Sequence, residues 1–227
     1  MQISSKLGHR KRLKEKFLSM DDLSINIPDY ELLELLLFFS IPRCDTNDLA
    51  KDLLKEFKTI NNVIYADEGQ LLEVKGIGEN TVLLIKIIKT IMHKVLQDPL
   101  KDKPVLNSIL KVIEYARISM GNLKIEILKI LFLDTKNQLI SDENIQRGTV
   151  NQTPVYIREI IKRALDLGAA SLIMLHNHPS GDLTPSSNDI FITKQLKEAC
   201  DKLGITLHDH LIIGRYTHKS MKSLGII

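Results

Sequence analysis

The chain has 227 residues, 44% of them hydrophobic and 26% charged, with no tryptophan and a formal net charge of +3. That is long enough for a real core and fits two modest domains. Two distant cysteines, Cys44 and Cys200, exclude a disulfide framework; the highly charged first twenty residues exclude a secretory signal, and no apolar run approaches the roughly 20 residues of a membrane span, so a cytoplasmic protein with no membrane partner is expected.

In chain order, the first signal is basic. Lys6, Arg10, Lys11, Arg12, Lys14 and Lys16 stand against Glu15 alone, a patch able to grip phosphates, although an amphipathic helix with Leu13 and Phe17 packed down is the simplest reading. Fourteen basic and fifteen acidic side chains in the first 98 residues show that this region is not broadly cationic. Apolar residues at three- and four-residue intervals predict helices over 30–39, 46–57 and 80–96. Before the last of these, Leu71 to Asn80 joins two helical stretches through Gly76-Ile77-Gly78 and resembles a helix-hairpin-helix motif. Lys75, Gly76, Ile77 and Gly78 are its candidate nucleic-acid contacts, because glycine permits the turn and lets backbone N–H groups approach a phosphate. Glu79 would repel that phosphate, so DNA contact, a structural hairpin and a protein-binding surface all stay open.

Asp98 to Pro104 is short, charged and bounded by prolines, which reads as a linker over 99–104 between a helical domain, 1–98, and a second domain, 105–227. There the pattern changes. A helix over 107–120 leads to a strand over 126–133, a turn over 134–138 and a second strand through Ile140. A helix over 158–167, an apolar strand from Ala170, a helix opening near Pro185 and stopping at Gly204, and a strand through Ile213 complete an α/β unit. The hairpin-like turn argues for a mixed sheet, so the class expected is α+β.

The chemistry gathers where that apolar strand ends, at His176-Asn177-His178-Pro179, with seven residues between His178 and Ser186, and then Asp189. Strand alternation turns His176 and His178 to one side, and a loop folding back brings in Asp189 from the first turn of the next helix. Two imidazole nitrogens and a carboxylate oxygen make three ligands for one cation and leave a fourth position for water, the arrangement of a catalytic site. Ser186-x-x-Asp189 also reads as a helix capping box. A second pair, His208 and His210, shares one strand face on the same alternation and competes for the metal, or Asp209 or His210 supports a ligand from behind.

His-x-His-x7-Ser-x2-Asp resembles the signature of the JAMM (MPN-plus) zinc metalloproteases, and His-Asn-His-Pro-Ser-Gly-Asp looks like their RadC branch. Gly8 to Phe17, Gly148 to Asn151, Arg158-Glu159 and Asp209 to Gly214 extend the likeness over most of the chain, with Ile157 where the family often has proline. The resemblance implies a JAMM/MPN domain of cytidine deaminase-like architecture, one zinc ion held by His176, His178 and Asp189, and Ser186 orienting water or stabilising the oxyanion. It implies Glu126 as the proton shuttle, with Glu143 and Glu159 as rivals. A metallopeptidase or isopeptidase acting on a peptide or protein is expected. The alternative is a DNA-associated protein, in keeping with the family's association with DNA repair, whose metal domain is a nuclease or is not catalytic. A nuclease often needs two ions with extra carboxylates between them, and one compact ligand set is evident.

Overall fold

The structure, a computed structural model, describes residues 3–19, 27–42, 44–102, 104–105, 109–147 and 155–227. The turn at Gly148 to Asn151 and the helix start at Asn107 lie outside them. The chain divides into two units, residues 1–91 and 92–227.

The first unit is helical: α1 (Ile3–Leu18), α2 (Asp29–Ser40), α3 (Asn47–Phe57), α4 (Ile60–Tyr65), α5 (Glu68–Glu73) and the opening turns of α6 (Glu79–Asp102). Leu13 of α1 is buried with Leu35 and Phe38 of α2, and Phe17 packs beside them. Two residues of the basic run serve this packing. The Arg10 guanidinium lies 4.3 Å from the Phe38 ring centroid and donates to the carbonyls of Ile41 and Pro42, beyond the end of α2. His9 reaches the buried Glu34 at 2.9 Å, and Lys16 reaches Glu31 at 2.5 Å. Arg10 and Lys16 of the basic run are thus engaged by a helix end, a ring and a carboxylate.

Between α5 and α6 the chain turns at Val74 to Gly78, where Gly76 adopts φ 99° and the Ile77 N–H donates to the Val74 carbonyl at 3.0 Å. Ile77 is buried, whereas Lys75, Gly76 and Gly78 are exposed. A side chain at Gly78 would meet nothing within 4 Å.

The expected linker is the clearest difference from the sequence reading, because α6 continues through Pro99 to Asp102. Proline removes one helix hydrogen bond and crowds the preceding turn. Here Leu100, buried in the second unit's core with Leu96 packed against it, offsets that cost. Gln97 donates to Asp142 at 2.6 Å and His93 lies 3.2 Å from the Tyr115 hydroxyl, so residues 92–102 are part of the second unit.

That unit is an α+β fold. Its five-stranded sheet has the order β2-β1-β3-β4-β5, from β1 (Ile127–Leu133), β2 (Leu139–Arg147), β3 (Ser171–Asn177), β4 (Thr206–Ile213) and β5 (His218–Ser220). Only β3 and β4 run parallel, which makes the sheet mixed. Alternation along the strands makes two cores. Ile127, Leu131, Ile173, Leu175, Leu211 and Ile213 pack with α7 (Ile109–Met120). Leu128, Ile130, Phe132, Leu172 and Met174 pack with α8 (Ile157–Asp166) and α9 (Ser187–Lys202). With both faces covered, β1 and β3 read as continuous apolar runs, and all seven residues of each are buried. Lys129 is the exception in β1, and it is paired with Asp142 at 2.5 Å and with the Tyr115 hydroxyl at 3.2 Å.

Candidate metal centre

The candidate ligands sit where β3 ends and α9 begins. His176 is the penultimate residue of β3 and only 2% exposed. His178 lies just past the strand, yet its N–H donates to the Ile213 carbonyl at 3.1 Å and so prolongs the pairing with β4. The two rings meet edge to face with centroids 4.9 Å apart, on the same side of the sheet.

The loop that returns the chain is built by its own polar groups. Gly181 turns it at φ 84°, the Asp182 carboxylate accepts from the Thr184 N–H at 2.9 Å, and the Asp182 carbonyl lies 2.6 Å from His178 Nδ1. A proton on Nδ1 donated to that carbonyl leaves Nε2 as the ligating nitrogen. Leu183 anchors the loop against Ile212 and Met221 and fills the space beside Gly214, where an added Cβ would lie 3.0 Å from its Cδ2.

Ser186 then caps α9. Its hydroxyl accepts from the Asp189 N–H at 3.1 Å, while the Asp189 carboxylate accepts from the Ser186 N–H at 2.8 Å and from its hydroxyl at 2.7 Å. The capping box and the ligand set therefore share Asp189, and the cap fixes how its carboxylate faces the imidazoles. Asp189 Oδ1 is 3.1 Å from His176 Nδ1, and Oδ2 is 3.5 Å from His178 Nε2.

One ligand atom from each of His176, His178 and Asp189 lies within 4.8 Å of the others. The donors fit a divalent cation on a second count. Despite the short approach to Asp189, neither ring nitrogen of His176 has hydrogen-bonding geometry with any described group, and both are buried. A buried imidazole without partners is costly unless something else is meant to satisfy it.

Charge follows the same geometry. Burial opposes ionisation of Asp189, but the adjacent His176 and His178 imidazoles and the hydrogen bonds from Ser186 outweigh it and hold the carboxyl well below its usual range. His178 is raised above its ordinary 6.5, mainly by its hydrogen bond to Asp189, with Glu126 adding to the effect. In the cation-free protein the stability contributed by protonated His178 should be complete below about pH 6.5 and lost as pH rises through its raised value. Cation binding needs the neutral ring and should strengthen with pH across that window. Melting curves in chelator and in excess zinc, compared from about pH 5.5 to 8.5, should diverge as pH rises; parallel curves would disprove the linkage.

Glu126 directly precedes β1, in which Leu128 lies opposite His176. It is half-buried, and its charge acts on His178. The rivals are held elsewhere: Glu143 accepts from Arg163 at 2.7 and 2.8 Å, and Glu159 from Arg158 at 3.0 Å.

Asn177, which the sequence reading passed over, is tied directly to this arrangement. It is 1% exposed, and its side chain accepts from the Ile127 N–H at 2.7 Å and donates to the Ile125 carbonyl at 3.0 Å. Those bonds clamp the backbone on both sides of Glu126. Strand alternation was the available signal: a polar residue between two ligands must face the other way and needs partners there.

The second histidine pair separates. A register shift between β3 and β4 sets Leu172 opposite Leu207 and Ile173 opposite Asp209, so His208 is the extra residue of a bulge. His208 turns to the Asn137 side-chain oxygen at 2.8 Å, whereas His210 is buried beside His176 with near-parallel rings, centroids 6.1 Å apart. Asp209 is no neighbour of the ligands. It accepts from the Ser220 hydroxyl at 2.6 Å and from the N–H groups of His210 and Lys222 at 2.7 and 3.1 Å, fastening β5 and the turn after it. Lys75 to Gly78 belong to the other unit.

Residues 106–226 match the family model for the RadC-like JAB domain. A UPF0758 protein of Ruegeria pomeroyi is 45% identical over 219 residues, which cover 96% of this chain and 97% of that protein. No helix among the described residues is long and apolar enough to cross a membrane. With a mixed five-stranded sheet, a candidate ligand set where β3 meets α9, and likeness along nearly the full chain, this protein belongs to the RadC family and carries a JAMM-type, hydrolase-like fold.

Proposed function

We propose that the chain is a zinc-dependent hydrolase of peptide or isopeptide bonds, with one ion per chain held by His176, His178 and Asp189. The reading rests on one juxtaposition: three donors within 4.8 Å of one another, and a carboxylate, Glu126, whose charge is felt by one of them. Two nitrogens and one oxygen suit zinc, with an open position of the catalytic kind. When bound, the ion supplies a Lewis acid that makes water acidic enough to attack a carbonyl near neutral pH. Glu126 takes the proton of the attacking water and passes it to the leaving nitrogen. Ser186, exposed at the cap of α9, turns its hydroxyl from Asp189 toward the scissile carbonyl oxygen, where negative charge develops. Metal analysis of the purified protein, coupled to unbiased profiling of peptide and DNA cleavage, should find zinc together with peptide cleavage. Zinc with DNA cleavage alone would replace this reading with a nuclease.

A contact with DNA through the α5–α6 turn draws on the exposure of Lys75, Gly76 and Gly78. Because position 78 has open space, Gly78→Phe should leave the fold intact and weaken DNA binding at every point of a salt series. Unchanged binding would remove the turn from phosphate contact. Cys44 and Cys200 are unpaired thiols, which supports a reducing, cytoplasmic setting.

A further inference from the structure

Behind the ligand set, the structure holds a buried polar chain that the hydrolytic reading leaves unused. The Thr193 hydroxyl, on the second turn of α9, is fully buried and lies 2.6 Å from the Asp189 carbonyl oxygen, 2.7 Å from His210 Nδ1 and 3.3 Å from Met221 Sδ. A hydroxyl has one proton to give. Spent on the Asp189 carbonyl, which cannot itself donate, it leaves the threonine oxygen to accept from His210, and that places the His210 proton on Nδ1. The other nitrogen, Nε2, then presents a lone pair. It is buried, and it has no hydrogen-bond partner among the described residues.

His176 poses the complementary problem. Whichever of its nitrogens binds a cation, the other must carry a proton, and ligating histidines nearly always donate that proton to an acceptor that fixes the ring. Its Nδ1 lies 3.1 Å from the Asp189 carboxylate, on the side of the other ligands, whereas Nε2 is buried with no hydrogen-bond partner among the described residues. The neighbouring ring of His210 is 1% exposed and lies at a 19° interplanar angle to that of His176. A donor lacking an acceptor and an acceptor lacking a donor are thus adjacent and buried.

We infer that His210 is a positioning residue: its Nε2 accepts the proton from the His176 nitrogen that faces away from the metal, directly or across one buried water, while Thr193 fixes the tautomer that makes this possible. The inference rests on the metal-centre reading above. It couples two ligands, because the same hydroxyl that orients His210 also bonds the backbone of Asp189. Asp209, its neighbour in β4, takes no part.

The test is zinc affinity, measured by competition with a chromophoric chelator, and does not depend on a substrate. His210→Leu, which removes the acceptor, should weaken zinc binding roughly 10- to 100-fold. His210→Gln, whose side-chain oxygen can accept near the position of Nε2, should keep most of the affinity. Thr193→Val should lose affinity, and Thr193→Ser should restore it. In the zinc-loaded wild type, long-range 15N NMR correlations should show His210 protonated on Nδ1 and not bound to metal. Equal losses in the leucine and glutamine variants would mean a packing role and overturn the inference, as would wild-type affinity in His210→Leu. A zinc-bound His210 nitrogen would also overturn it, making His210 a fourth ligand. If the wild type binds no zinc at all, the metal-centre reading itself fails; binding that the variants leave unchanged sinks only the His210 assignment.

Discussion

Replacing Asp189 by alanine should abolish zinc retention. Structural zinc sites bind with apparent free energies of roughly 10–16 kcal/mol shared among four ligands, so losing one anionic donor should cost on the order of a hundred- to a thousandfold in affinity. The same substitution removes half of the capping box, because the Ser186 N–H loses its acceptor; loss of a cap typically costs about 0.5–2 kcal/mol. Asp189→Asn separates the two effects. The amide oxygen can still accept from Ser186, so the metal-free variant should melt close to the wild type, yet a neutral carbonyl is a much weaker donor to zinc. Metal content after dialysis against a mild chelator, read beside melting curves of the metal-free proteins, decides the point. Full zinc occupancy in both variants would show that Asp189 serves only as a cap.

Glu126→Gln should leave zinc content and fold as they are while lowering kcat by roughly 10²- to 10⁴-fold on whatever peptide substrate the profiling reveals, with little change in KM. The change is nearly isosteric; it removes the ability to accept a proton and, with it, the charge that acts on His178. Glu143→Gln and Glu159→Gln should retain activity, since both carboxylates are engaged by arginines. A fully active Glu126→Gln enzyme with zinc in place would send the base role to another group.

Much of the centre was legible because it lies close together in sequence. A buried strand, a glycine-turned loop and a capped helix start leave few ways to arrange His176, His178 and Asp189, and each rule involved is local. The apolar runs of β1 and β3 and the turn at Asp134 likewise announce themselves, and the mixed sheet follows from the hairpin. The linker did not read correctly: prolines and charges at 98–104 look like a break, yet Leu96 and Leu100 find a core and the helix continues. The basic run near the N-terminus is equally ambiguous in sequence, since nothing local says that Arg10 will meet the end of α2.

By itself, then, the sequence determined the types and spacing of the candidate ligands and the alternation that faces the two histidines to one side. The tertiary structure decided which of the remaining polar residues join them. Asn177 clamps the Glu126 segment from 50 residues away, and a bulge sends His208 and His210 to different partners. The physical reason is that strand pairing and register bring together residues distant in the chain, and a shift of one position exchanges which side chain faces the ligands.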